Sequence, residues 1–333
     1  MMFLDHHAAE AEFALRAVRA AGRLCQVVRQ DAQRPSLSKA DASPVTEADF
    51  ASQALIAGWL AETFPADPLI AEEDSRMLES NPGLAKRALA RVRQVRPEAN
   101  IRRVMIWLDR GGGRVSDRFW TLDPIDGTKG FVRGDQYVVA LALLEAGRVA
   151  VAAVAAPMLG IDLRPRPDTF GCAVVAVRGQ GAWAMPLDGS GERRLKVSDC
   201  HMPSEARVLC SAEDQHTDPK RLHLVAERLD LSWPPTALDS QAKYLVIAGG
   251  QAELLIRLLP TAKPDYKEKL WDVAAGALVV EEAGGRVTDL RGRPLDLTTG
   301  RELTRNCGSL ISNGHLHDAV LSAVSAVLTE TTP

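Results

Sequence analysis

Apolar and polar positions change period several times along the chain. Residues 8–30 place Phe13, Ala17, Ala20, Leu24 and Val27 at helical spacing, with Arg16, Arg19 and Arg23 outside the stripe, which predicts an amphipathic helix. "SLSKADASPV" (36–45) reads as a polar connector. Thr46-x-x-Asp49 has the form of a capping box and predicts a second helix from Thr46 to about Phe64, ended by Pro65 and Pro68. "PLIAEEDS" then reads as a short buried strand running into an acidic turn. Residues 80–118 show the least order, with a basic helical segment, "LAKRALARVRQVR", and a loop, "DRGGGRVSD".

From there the period shortens. "RFWTLDPIDG" predicts a strand entering a turn, and "YVVALALLEAGRVAVAAVAAP" predicts two apolar strands around Glu-Ala-Gly. "GCAVVAVRGQGAWAM" repeats that form around Gly-Gln-Gly. Further on come a strand in "ARVLCSAED", helices over 218–229 and 240–249, and a strand over 253–258. A helix over 272–283, a strand in "GSLISNG" and a helix over 315–329 close the chain. Strands and helices mix throughout, which predicts α/β or α+β layers, divided into an N-terminal half, 1–160, and a C-terminal half, 161–333.

Composition narrows the classes. Forty basic against 43 acidic side chains, a net charge of −3, argues against a general nucleic-acid binder. Five cysteines at wide spacing, with no C-x-x-C, argue against a disulfide framework or a thiolate zinc site. The charged N-terminus lacks the apolar core of a signal peptide, and "VAVAAVAAPM" (149–158) is too short to span a bilayer, so the expectation is a cytoplasmic protein.

No phosphate-binding G-x-x-x-x-G-K-[ST] loop or G-x-S-x-G elbow is present, and Cys200 and Arg207 are too far apart for a Cys-x5-Arg phosphatase loop. What the sequence offers is acids on turns: Asp49, Glu72, Glu73, Asp74, Asp123, Asp126 and Asp272. Hard cations such as Mg²⁺ take oxygen ligands of this kind. In "DPIDGT", Pro124 stiffens the corner, Gly127 permits a tight bend, and the Gly127 and Thr128 N–H groups face an oxyanion if a helix starts there. Each acid also has a plain reading. Asp-Pro-x-Asp-Gly is a good turn, Asp49 and Asp272 suit helix N-termini, and Asp109 reads as a loop acid.

"DPIDGTKGF" and, after it, "WDVAAGALVVEEAGG" resemble in the right order the two signatures of the lithium-sensitive, Mg²⁺-dependent phosphatases related to inositol monophosphatase, and "SPVTEADFASQALI" and "IAEEDS" resemble the segments that supply their other acids. "WLDRGGG", "SQAKYLVIAGGQAELLIRL" and "YKEKLWDVAAG" are similar to the branch acting on 3′(2′),5′-bisphosphate nucleotides. The resemblance runs from about residue 8 to 328 and is weakest over 76–104; Ala71 stands where the family often has glycine.

It implies a layered α/β sandwich like those of inositol monophosphatase and fructose-1,6-bisphosphatase, with the site between the halves. It implies at least two Mg²⁺ ions on Glu72, Asp123, Asp126, Asp272 and the Ile125 carbonyl. Asp49 and Thr128 would activate water, with Glu73 assisting, and Gly127, Thr128, His216, Ser240, Lys243, Arg257 and Lys269 would hold the substrate. The implied reaction is hydrolysis of adenosine 3′,5′-bisphosphate to AMP, with a role in sulfur metabolism. The rivals are an inositol phosphate phosphatase and a non-catalytic sensor of phosphorylated ligands. From the residues alone, Arg257 also fits a surface arginine, Ser240 a helix cap and His216 an exposed polar residue.

Overall fold

A computed structural model describes residues 6–31, 36–39, 44–166, 170–212, 217–259 and 266–331. Helix α1 (Ala8–Gln30) leads to a two-strand ladder, β1 (Leu37–Ser38) with β2 (Pro44–Val45), and then to α2 (Glu47–Thr63). After β3 (Leu69–Ala71) come three helices, α3 (Arg76–Ser80), α4 (Pro82–Arg93) and α5 (Ile101–Asp109). Strand β4 (Arg118–Asp126), the short α6 (Thr128–Arg133), and strands β5 (Val138–Glu145), β6 (Arg148–Ala156), β7 (Cys172–Val177), β8 (Gly181–Pro186) and β9 (Arg193–Arg194) follow. The remainder is β10 (Val208–Ser211), α7 (Pro219–Leu229), β11 (Thr236–Leu238), α8 (Ala242–Ala248), β12 (Leu254–Arg257), α9 (Ala274–Glu282), β13 (Arg286–Thr288), β14 (Ser309–Ser312) and α10 (His317–Thr331).

Strands β3 to β9 form one sheet in sequence order, antiparallel except for the parallel β3–β4 pair. The second sheet runs β11-β10-β12-β14-β13 and is mixed. Both faces of the first sheet are covered, which explains its continuous apolar runs. In β5, Val139, Leu141 and Leu143 pack with α1 and α2, while Val138, Ala140, Ala142 and Leu144 face α8 and α9. This is the two-residue period of a strand read from both sides. Helices α8 and α9 also meet the second sheet, whose far face carries α7 and α10. The result is five layers, α/β/α/β/α, the sandwich the sequence led us to expect.

The tight helix–sheet contact depends on small residues. A Cβ on Gly22 of α1 would come within 2.8 Å of the Ala155 Cβ in β6. The helical stripe in α1 differs from expectation: Val27 is 49% exposed, and Ala14, Val18, Ala21, Cys25 and Val28 join Phe13, Ala17 and Leu24 in the core. The seven-stranded sheet draws β7 to β9 from beyond residue 160, so sheet membership does not follow a 1–160/161–333 division. The five cysteines form no disulfide, and no helix among the described residues is long and apolar enough to cross a membrane.

Candidate active site

The Asp-Pro-Ile-Asp segment is a bulge at the end of a strand, where the sequence suggested that the strand had already ended. Asp123 pairs with Ala140 and Asp126 with Val138, so three steps on β4 match two on β5. Pro124 has no N–H to leave unpaired there, and its carbonyl accepts a hydrogen bond from Ser52 Oγ at 3.0 Å. The Ile125 N–H donates to Asp123 Oδ1 at 3.1 Å, which fixes that carboxylate. Gly127 turns the chain with φ +88°, and a Cβ there would lie 3.0 Å from the Ser240 Cβ and 3.2 Å from the Gln136 carbonyl oxygen. Helix α6 then starts at Thr128.

Asp49 both caps its helix and faces the turn. Its Oδ2 accepts from the Thr46 N–H and Thr46 Oγ, each at 2.8 Å, which is the predicted capping arrangement at the start of α2. Its Oδ1 lies 3.2 Å from Thr128 Oγ, which is also 3.0 Å from the Ile125 carbonyl oxygen. Burial pushes the Asp49 carboxyl up to about 6, against the pull of Lys39 and the Thr46 hydrogen bonds.

Beyond β3 the acidic segment is held from several sides. Gln53 accepts from the Glu73 N–H at 2.9 Å and donates to the Glu73 carbonyl at 2.6 Å. Lys39 Nζ lies 2.6 Å from Glu72 and also pairs with Glu73. Burial and the neighbouring Glu72 push Glu73 up to about 8. Asp109 is the last residue of α5, not a loop acid, and it accepts from Ser75 N–H and Oγ, each at 3.0 Å. It therefore anchors the chain just past Asp74.

A cavity of about 660 Å³ opens where these elements meet the start of α9 and the end of β12. Glu72, Asp123, Ile125, Asp126, Gly127, Thr128 and Asp272 line it; Asp49 and Glu73 are buried outside the lining. Asp123 and Asp272 are held well above the usual carboxylate range, chiefly by burial and then by one another's neighbours, Glu72 and Asp126. Burial raises Asp126 too, while Lys243 and the Gln241 N–H, 2.6 Å from its Oδ2, oppose the shift. Lys39, Lys243 and Arg257 offset only part of the burial of these carboxylates, and hard oxygen donors suit Mg²⁺ or Ca²⁺. Among the described residues no three His, Cys, Asp or Glu side chains close into a metal cage. An open wall of oxygens still fits Mg²⁺, an ion that keeps several waters and takes few protein ligands.

The same cavity carries cations. Lys243 is 5% exposed and donates to the Leu238 carbonyl at 3.0 Å; burial lowers its pKa to about 8, with Asp126 opposing. Arg257 is not a surface arginine, because its side chain is 12% exposed and pairs with Glu268 at 2.9 Å. Lys269 lines the cavity and pairs with Glu302 at 2.6 Å. Ser240 also lines it, with φ +64°, and accepts from the Ala242 N–H at 3.2 Å, but it is not the helix cap, because Gln241 holds the N-cap position of α8. His216 lies outside the described residues. Lys39, Tyr266, Trp271 and Arg301 also line the cavity without having been singled out in the sequence. Lys39 sits in what read as a plain polar connector, and no local signal marks it.

The profile of the inositol monophosphatase family matches residues 7–329, and the chain belongs to that family. A Schizosaccharomyces pombe protein named 3′(2′),5′-bisphosphate nucleotidase is 36% identical over 340 residues, covering 96% of each chain. The solved structure of an IMPase from Thermotoga maritima aligns with a TM-score of 0.67 at 23% identity, covering 97% of this chain and 99% of that one. Another, an IMPase/NADP phosphatase complexed with Mg²⁺ and phosphate, aligns at 0.64 and 19% identity, covering 96% of each chain.

Proposed function

We propose that the chain is a Mg²⁺-dependent 3′(2′),5′-bisphosphate nucleotidase that hydrolyses adenosine 3′,5′-bisphosphate to AMP and phosphate. One observation carries the substrate choice: a buried carboxylate cluster and the cations Lys243, Arg257 and Lys269 line one cavity. The names of the relatives support the same reading. A bisphosphate brings a second dianion that the carboxylate side cannot neutralise, and a guanidinium can grip phosphate with two parallel hydrogen bonds.

Glu72, Asp123, Asp126, Asp272 and the Ile125 carbonyl are the oxygens that would hold the ions, of which we assign at least two. When bound, Mg²⁺ neutralises phosphoryl charge and acidifies water. Thr128 Oγ, donating to Asp49 Oδ1, keeps a lone pair free to accept a proton bond from the attacking water. Asp49, its other oxygen fixed by Thr46, takes up the proton passed through that hydroxyl. Glu73 steadies this wall through Lys39 and Gln53. The Gly127 and Thr128 N–H groups and Ser240 would contact the substrate. Water adds to the 3′-phosphorus with loss of its proton to Asp49, the P–O3′ bond breaks, and the departing 3′-oxygen takes its proton from solvent water; no phospho-enzyme forms.

Phosphate release with Mg²⁺ tests the assignment, comparing adenosine 3′,5′-bisphosphate with inositol 1-phosphate and inositol 1,4-bisphosphate, beside lithium and EDTA controls. Preference for the nucleotide is expected. Preference for an inositol phosphate would overturn the substrate, and no release from any of them would overturn the enzyme reading in favour of a sensor.

A further inference from the structure

Two of the cavity's carboxylates come from segments about 200 residues apart in sequence, Glu72 after β3 and Asp272 before α9. One side chain touches the residue preceding each. Arg301 Nη2 donates to the Ala71 carbonyl at 2.6 Å, and Nη1 to the Gly111 carbonyl at 3.3 Å. The face of the same guanidinium lies over the Trp271 ring, with Cζ 4.6 Å from its centroid. The Gly111 carbonyl also accepts from the Ala71 N–H at 2.9 Å, so the end of β3 is tied through both backbone polar groups of one residue. The Arg301 carbonyl in turn accepts from the Leu270 N–H at 3.0 Å, and Lys269 bridges to Glu302. The loop that carries Arg301 is thus fastened to the Trp271-Asp272 segment by backbone and to the β3 end by side chain.

We propose that Arg301 is a positioning residue that sets the separation of Glu72 and Asp272, holding the carbonyl ahead of the first and the indole ahead of the second. This rests on the reading of the carboxylates as a divalent-cation centre. A guanidinium is suited to the task because it is planar, carries donors in fixed directions and stacks on an aromatic face. Lysine offers a point charge with none of that geometry. Charge alone therefore does not replace it. Loss of a group that orients metal ligands commonly costs roughly 10–100-fold in ion affinity.

The test measures Mn²⁺, a paramagnetic stand-in for Mg²⁺, binding to the full chain after EDTA treatment and without substrate. R301A and R301K are each expected to weaken binding about tenfold or more. Their metal-free melting temperatures should stay close to wild type. W271L is expected to weaken it as well, and the R301A/W271L double variant should cost less than the sum, because both act through one contact. If R301A and R301K bind Mn²⁺ as wild type does, the positioning role is overturned, including when KM for the nucleotide rises and marks Arg301 as a substrate contact. D272N controls for the reading beneath. If wild type fails to bind Mn²⁺, or D272N binds it equally well, the cation centre fails and the positioning role fails with it.

Discussion

Replacing Asp123 with asparagine should stabilise the ion-free protein while disabling it. The side chain is 1% exposed and faces Glu72, Asp126 and Asp272, with Lys39 as partial relief. At an effective dielectric of about 20, two like charges about 6 Å apart repel by about 2.8 kcal/mol. Burial is the largest cause of the raised carboxyl, and with three such neighbours, partly protonated and partly offset by Lys39, the net cost of an ionised Asp123 is about 2–4 kcal/mol. Asparagine keeps the size and the acceptor for the Ile125 N–H. With about 2.1 cal/mol/K of unfolding entropy per residue, 333 residues give roughly 0.7 kcal/mol/K, so Tm should rise by about 3–6 °C.

Calorimetry in EDTA at about pH 8 reads this directly. The pH dependence has a fixed sign. The Asp123 pKa is higher folded than unfolded, so its contribution is fully present below about 3.8 and is lost as pH rises through the folded value. Ion-free wild type should melt higher at about pH 5 than at about pH 8, and D123N should narrow the gap. Saturating Mg²⁺ should reverse the order of the two proteins. Turnover of D123N should fall by more than the roughly 10–100-fold expected for losing an outer partner of a metal ligand. An unchanged or lower Tm in EDTA, with an unchanged pH slope, would refute the charge argument.

T128V should lower kcat by about 10²–10⁴-fold with little change in KM, because it removes the hydroxyl between Asp49 and the water; steady-state kinetics will show whether the split holds. K243M should cut kcat/KM for adenosine 3′,5′-bisphosphate by about 10–150-fold, the equivalent of roughly 1.5–3 kcal/mol, and spare adenosine 3′-monophosphate; equal losses on both would place Lys243 at the reacting phosphate. His317 is fully buried between Ser312 Oγ at 2.8 Å and Thr288 Oγ at 2.9 Å, and burial holds its pKa down to about 4. Unfolding releases it to about 6.5, so stability of order 2–3 kcal/mol should be lost as pH falls from about 6.5 to 4. Chemical denaturation of H317Q should give a flatter profile over that window.

The long apolar hairpins β5–β6 and β7–β8 were legible because burial on both faces writes a run that only a few turn residues interrupt. The α1 stripe was misplaced because alanines lie on several faces and give little contrast. The region over 80–118 resolved into α4 and α5, and its caps were visible in principle: Asn81 accepts from Leu84 N–H and Asn100 from Arg103 N–H. Short half-exposed strands such as β11 leave almost no pattern. At the site, the acids stood out by their turn chemistry, whereas Lys39 and Arg301 did not. Arg301 meets Ala71 across 230 positions, and no local spacing encodes such a contact.

The layering has an evolutionary consequence. Asp123 and Asp126 hang from the seven-stranded sheet, whereas Arg257 belongs to the five-stranded sheet and Lys243 to the helix layer between them. On the proposed assignment, the acids of the β4 bulge and the ligand-choosing cations thus sit on separate supports that share one opening, and only Asp272, ahead of α9, shares the helix layer with Lys243. Substitutions in β12 or α8 can redirect the chain toward a differently charged ligand while the acid-bearing bulge stays untouched. Within such a lineage, new specificities can be acquired without rebuilding the chemistry.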